Sequence, residues 1–269
     1  LIPNNTRGKR QKANPVYSRM NAEISKARKR GDIQTAHRLE VERRGIPSVD
    51  PYDENYRRCR YVRYADDFLI GFTGSKADAE KIKAEMHDFL KQELHLELSE
   101  EKTLITNASS QAVKFLGYEI KAQRCNDYID PKGRRGANGA IALLVPARVI
   151  EDKCRSFMRY GKVTHRNALL HDDDFSIVQR FQQEYRGLVQ YYVLAQNLSW
   201  FSKLYWTMET SLLKTLACKH RSSIKKQKAK YKTTTTSTSG KTVHCLQVVV
   251  ERPGKKAIGG YLGRNFTCP

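Results

Sequence analysis

Apolar residues recur along this chain at two spacings, and the alternation between them divides it into segments. Near the amino end Met20, Ile24 and Ala27 fall at helical spacing. Gly31-Asp32 interrupts that pattern, and a second short helix is expected from Ile33 to Arg44, stopping at Gly45-Ile46-Pro47. The spacing then becomes that of strands. Tyr61-Val62-Arg63-Tyr64 and Phe68-Leu69-Ile70-Gly71-Phe72 flank Ala65-Asp66-Asp67 as the two arms of a hairpin. Both arms are apolar enough to place the hairpin on a buried sheet. Ser75 and Asp78 are spaced as a capping box, and Ala79, Ile82, Met86, Phe89 and Leu90 mark one face of a helix packed under that sheet. A strand is expected through Leu104-Ile105-Thr106 and another over residues 113–120, where Gly117 suggests a close backbone approach.

The second half is mostly helical in period. A polar, Gly-rich stretch from Lys121 to Gly139 reads as a basic loop or linker. Pro146 then opens a helix whose apolar face uses Ile150, Cys154, Phe157 and Met158. A helix starting near Asp174 carries Val178, Phe181, Tyr185, Leu188 and Tyr192 as a seam suited to bundle packing. A third runs from about Ser199 through Leu204, Met208, Leu212 and Leu216. Residues 219–232 hold seven Lys or Arg and no acid, and Thr233 to Gly240 reads as a low-complexity linker. Residues 244–250 and 257–262, with a turn at Pro253-Gly254, suggest a small β-hairpin. The fold class is α+β.

Charge narrows the partners. The 269 residues include 49 Lys or Arg and 28 Asp or Glu, a net charge of +21, which points to a polyanion: nucleic acid first, an anionic membrane second. No apolar run approaches the roughly 18 residues that span a bilayer. The first fifty residues carry twelve Lys or Arg against five acids, as solvated surface or as an RNA-contacting face. Arg134, Arg135, Lys225, Lys226 and Lys228 are candidates for phosphate contact. Tyr191 and Tyr192 could stack on bases or fill the core, and the seam position of Tyr192 favours the core. Six cysteines lie outside any C-x-x-C pair, which fits reduced thiols in an intracellular protein. The opening Leu-Ile-Pro-Asn-Asn has neither an initiator Met nor an apolar signal region, as expected of a stretch from inside a longer protein.

The turn Tyr64-Ala65-Asp66-Asp67 carries the sharpest chemistry. Adjacent Asp residues are ordinary in solvated turns, whose backbone Asp tolerates. They also repel, and a divalent cation with a preference for hard oxygen ligands removes that cost. A pair of such metals can clamp the attacking and leaving oxygens of a phosphoryl transfer.

Residues 61–68 (YVRYADDF) resemble the catalytic hairpin of reverse transcriptases, in the form typical of group II intron-encoded proteins. Residues 96–103 (LELSEEKT) are similar to the next palm motif, and Phe115-Leu116-Gly117-Tyr118 to the primer-grip strand after it. Tyr185-Arg186-Gly187-Leu188 and Tyr191-Tyr192 are similar to the maturase, or X, domain of that family, a thumb-like helical bundle. The resemblance covers about residues 50–262. It implies a basic helical palm insertion over 1–60, the carboxy-terminal part of the palm over 61–122 and a basic linker over 123–145. A maturase X/thumb helical domain over 146–232 and a linker with a carboxy-terminal β-hairpin over 233–269 would follow.

The resemblance further implies Asp66 and Asp67 as ligands of two Mg²⁺ ions, Tyr64 and Ala65 bracing the primer end, and Gly117 admitting the primer backbone. Lys102 would serve the leaving pyrophosphate or be a plain surface lysine. Arg186 and Tyr191 would join the RNA contacts. The implied partners are group II intron RNA, primer and template nucleic acid, and a separate amino-terminal reverse transcriptase fragment, with no membrane. The implied setting is bacterial cytoplasm or organelle matrix. The family's upstream palm Asp and its Pro-Gln-Gly box have no counterpart here, so the expected metal site is incomplete and polymerisation by these residues alone is not expected. RNA binding in splicing without polymerase activity is the alternative.

Overall fold

The computed structural model describes residues 2–50, 53–123, 139–236, 242–252 and 255–263. It divides the chain into two compact units, one of residues 1–116 with 120–142, the other of residues 117–119 with 143–269.

The first unit opens with α1 (Pro15–Lys29) and α2 (Ile33–Arg43), each started by a side-chain cap, Asn14 and Asp32 respectively. Gly31, at φ 77°, makes the turn between them. The two helices pack together, with Ile24 and Ala36 as their buried residues and Arg28 paired with Glu40. The arms of the hairpin are β1 (Arg58–Tyr64) and β2 (Asp67–Thr73), antiparallel with Tyr64 opposite Asp67. Next comes α3 (Lys76–Glu93), begun by the capping box of Ser75 and Asp78. Arg57 pairs with Asp78 at 3.0 Å and ties the start of that helix to the strand. Three short strands follow, β3 (Val113–Phe115), β4 (Tyr118–Ala122) and β5 (Ile141–Leu144), in the order β3-β4-β5.

Three expectations fail in this stretch of the chain, and a fourth, on α3, holds in part. The hairpin is a two-stranded ribbon rather than part of a buried sheet. Tyr61, Val62 and Tyr64 are 42%, 54% and 67% exposed, because nothing described lies over those faces. On α3 Ile82 is buried and Ala79, Met86 and Leu90 are half-buried, whereas Phe89 is 54% exposed, so the expected apolar face is covered in part. Leu104-Ile105-Thr106 forms no strand, and residues 113–120 are two strands rather than one. Leu116 and Gly117, with φ of 48° and 74°, make the tight turn that breaks them.

The second unit has a continuous core. Its first helix is α4 (Ala147–Arg155), which ends before Phe157 and Met158. Phe157 is still buried, while Met158 begins the small hairpin β6 (Met158–Arg159) and β7 (Lys162–Val163). The longer helices are α5 (Asp174–Tyr191) and α6 (Phe201–Lys219), followed by α7 (Ile224–Tyr231). The apolar seam is borne out: Val178, Phe181 and Tyr185 are buried with Ile177 and Val189, and Tyr192 closes it at 4% exposed. Leu204, Met208, Leu212 and Leu216 of α6 are wholly buried against them. Asn197 stitches the entering chain to this core, accepting from Val145 N at 2.8 Å and donating to Val145 O at 3.0 Å.

A three-stranded sheet completes the unit: β8 (Lys232–Thr236), β9 (Thr242–Arg252) and β10 (Lys255–Gly263), in the order β10-β9-β8. The expected carboxy-terminal hairpin is thus present as β9 and β10, with its turn at 253–254 outside the described residues. The threonine run is not a linker as far as Thr236, because Thr233 to Thr236 pair with Thr242 to Cys245. Threonine is β-branched and suits a pleated edge, a preference that low-complexity composition conceals. Leu246, Val248 and Leu262 turn into the helical core, where β9 and β10 pack on α5.

Candidate functional site

The Asp66-Asp67 turn is built by two-residue hairpin geometry. Ala65 takes φ 49°, the positive value that primed hairpin turns require and that alanine adopts only under strain. The Arg63 side chain donates from Nε to Ala65 O at 2.7 Å and holds that peptide. Asp66 completes the turn, and Asp67 opens β2 opposite Tyr64. Both carboxylates are exposed, and among the described residues neither side chain has an ion-pair partner. The arrangement presents two hard oxygen donors to solvent from a backbone fixed by cross-strand pairing. That donor set fits Mg²⁺ in kind. Its number is two, since no group of three His, Cys, Asp or Glu side chains placed to hold a metal occurs among the described residues.

The other expected residues scatter. Lys102 is exposed in a turn. Arg134 and Arg135 lie outside the described residues. The close approach expected at Gly117 is made by tyrosines: a Cβ there would sit 3.2 Å from the Tyr191 hydroxyl and 3.3 Å from that of Tyr192. Tyr192 donates to Gly117 O at 3.1 Å, and Tyr118 donates to Tyr191 O at 2.5 Å. Tyr191 stacks on Tyr118 with centroids 6.1 Å apart, while leaving itself 56% exposed. So Gly117 and Tyr191, named separately from sequence, meet in one aromatic cluster. Arg186 is exposed one turn earlier on α5.

On α7, Lys225 and Lys226 are exposed, whereas Lys228 reaches Glu209 at 3.5 Å and so spends part of its charge inside the protein. That helix is anchored by a node invisible to local pattern. Asp174, at the start of α5, receives Lys219 Nζ at 2.8 Å, lies 2.8 Å from His220 Nε2, and accepts from the Tyr231 hydroxyl. Burial alone would raise its carboxyl, but the hydrogen bonds from Lys219, Tyr231 and His220 outweigh burial and hold it at about 2. Burial and then the neighbouring carboxylate push the Tyr231 phenol up. Glu184 is a second such node: burial opposes its charge, yet Arg166 at 2.5 Å and Lys153 at 2.9 Å keep its carboxyl below the ordinary range. The partners in both nodes are far apart in sequence, and an apolar period does not report them.

Known proteins match both units. The family model described as reverse transcriptase (RNA-dependent DNA polymerase) matches residues 46–120, and that described as type II intron maturase matches residues 141–245. A reverse transcriptase segment followed by an intron maturase segment defines the class. The chain belongs to the group II intron-encoded reverse transcriptase/maturase family. It is 34% identical over 243 residues to the group II intron-encoded protein LtrA of Lactococcus lactis subsp. cremoris, covering 82% of this chain and 40% of that protein. It is 33% identical over 231 residues to a COX1/OXI3 intron 1 protein of Saccharomyces cerevisiae, covering 80% of this chain and 27% of the relative. A maturase K of Chara globularis is 27% identical over 191 residues, covering 66% and 36% respectively. The chain therefore spans less than half the length of these relatives. Among the described residues no helix is long and apolar enough to cross a membrane.

Proposed function

We propose that this chain is the palm end and thumb-like maturase portion of an RNA-directed DNA polymerase that binds group II intron RNA and assists its splicing. Joined to fingers and a first palm strand, it copies RNA into DNA. The observation that carries the reading is the Asp66-Asp67 tip, two free carboxylates on a hairpin whose strained Ala65 fixes their direction. In this reading residues 61–122 are palm, 146–232 thumb, and the exposed apolar residues of β1 are covered by the rest of the palm. The net charge of +21 supports a phosphate-rich partner.

Asp66 and Asp67 would hold Mg²⁺. When bound, the metal lowers the pKa of the primer hydroxyl and neutralises the incoming triphosphate. Phosphoryl transfer asks mainly for positioning and charge neutralisation. Tyr64, 67% exposed beside the turn, braces the primer end. Lys102 lies in the segment that follows the hairpin and serves the pyrophosphate. Arg186, Tyr191, Lys225 and Lys226 contact RNA.

RNA binding in splicing without polymerisation is a second reading, and one observation favours it: the second unit has its own core and presents basic α7 on its surface. Primer extension by the chain joined to a fingers-and-palm fragment, run beside splicing of intron RNA by the wild-type chain and by Asp66→Ala, separates the two. Equal stimulation of splicing by both, together with failure of any fingers-and-palm fragment to restore primer extension, selects the second.

A further inference from the structure

We propose that the β6–β7 tip is a stacking finger for an unpaired RNA base, with Tyr160 offering its ring and Arg159 and Lys162 holding the adjoining phosphates. This rests on the RNA-binding reading above and gives it a contact point that neither the palm motifs nor α7 supplies. Tyr160 and Gly161 form the two-residue turn between Arg159 and Lys162, which pair across the hairpin. Their φ values are 52° and 72°. Turns of this kind favour Asn-Gly, because a bulky side chain is strained at positive φ. Here a tyrosine occupies that position and is 90% exposed, so its own packing does not explain it. Backbone strain that buries nothing is characteristic of groups held ready for a ligand.

The platform beneath the tip is fixed. Phe157 and Val163 are buried at its base. Three side chains of α6 grip the strand leaving it: Lys214 donates to Val163 O at 2.6 Å, Ser211 donates to Thr164 O at 2.7 Å, and Thr215 accepts from Arg166 N at 3.0 Å. A tip mounted this way loses little backbone freedom on binding.

Charge indicates the ligand. No acid occurs between Asp152 and Asp172, while five Lys or Arg do. Three of those are committed: Lys153 and Arg166 to Glu184, and Arg155 to Asp152. Arg159 and Lys162 remain exposed on either side of the ring, with the Arg159 guanidinium 5.4 Å from its centroid. An exposed aromatic ring between two cations that have no ion-pair partner among the described residues matches a base between two phosphates. A base can reach that face only when it is not already stacked in a helix, which selects single-stranded or bulged RNA over duplex.

Tyr160→Asn separates the ring from the fold, since asparagine removes the stacking surface and suits positive φ better than tyrosine. The full chain would be titrated with a fluorescein-labelled single-stranded RNA and with a blunt duplex RNA of equal length. The expected result is an unchanged or higher melting temperature, about fivefold or greater loss of single-strand affinity, and unchanged duplex affinity. Tyr160→Trp retains binding. Arg159→Ala and Lys162→Ala each flatten the salt dependence, whereas Tyr160→Asn leaves its slope alone. Unchanged single-strand affinity in Tyr160→Asn, or an equal loss on both RNAs, overturns the finger while the RNA-binding reading stands. Failure of the wild-type chain to bind either RNA overturns both.

Discussion

α3 and α5 are both helices of 18 residues, each begun by a side-chain cap, and each carries an apolar stripe. Phe181 of α5 is fully buried, whereas Phe89 of α3 is 54% exposed. The same contrast holds across the two units. The continuous core lies in the second, and the first keeps Tyr61, Val62, Tyr64, Leu96 and Leu104 against water. Capping and periodicity are sufficient to shape a helix locally. They do not say whether its apolar face has been given a partner. Both units leave apolar side chains in water, Leu194 and Trp206 of the second among them, but the unit carrying Asp66 and Asp67 is the one without the continuous core.

That difference can be broken by mutation. Phe181→Ala should cost about 3–5 kcal/mol of stability, the range for emptying a packed aromatic site. Phe89→Ala should stay within about 0.5 kcal/mol, the range for exposed substitutions. Urea unfolding of both variants checks this, and comparable losses would mean that α3 is as well covered as α5. A smaller effect comes from Asp174. Its folded carboxyl titrates at about 2, below an ordinary aspartate, so its contribution is complete above the unfolded value and is lost as pH falls from about 4 toward 2. That contribution is about 2 kcal/mol. Asp174→Asn should remove it at neutral pH, leaving a variant whose stability changes less on acidification than that of the wild type. The smallest effect concerns RNA. Lys225→Ala with Lys226→Ala should weaken binding and flatten its salt slope, while Lys228→Ala changes the slope less because Glu209 already shares that charge. A salt slope unchanged from the wild type in the Lys225→Ala, Lys226→Ala variant would remove α7 from the interface.

Much of the fold was legible because its signals are local. The Ser75–Asp78 box, the α5 seam and the hairpin arms around Ala65-Asp66 all declare themselves within a few residues. What was not legible depends on distant partners or on competing turn chemistry. Thr233 to Thr236 become a strand only because Thr242 to Cys245 lie beside them. Residues 113–120 have strand composition, yet Leu116-Gly117 turns the chain back on itself. At the site, Asp66 and Asp67 could be read directly from the turn. The engagement of Gly117 by Tyr191 and Tyr192, the Lys228–Glu209 pair and the Asp174 node could not, because their members meet only in the folded chain. The Tyr160-Gly161 turn did carry a local signal, a Gly after an aromatic residue between two cations, but its runs are only two residues long.

The central claim is that the Asp66-Asp67 hairpin is the metal-holding edge of a polymerase whose remaining palm covers β1. Primer extension on an RNA template, with Mg²⁺ and deoxynucleotides, tests it most directly when this chain is co-expressed with a fragment supplying fingers and the first palm strand. The account predicts no extension by either piece alone and extension by the pair. Asp66→Ala should lower that extension on the order of a thousandfold or more. Extension by this chain alone, or by the pair carrying Asp66→Ala at the wild-type rate, would contradict it.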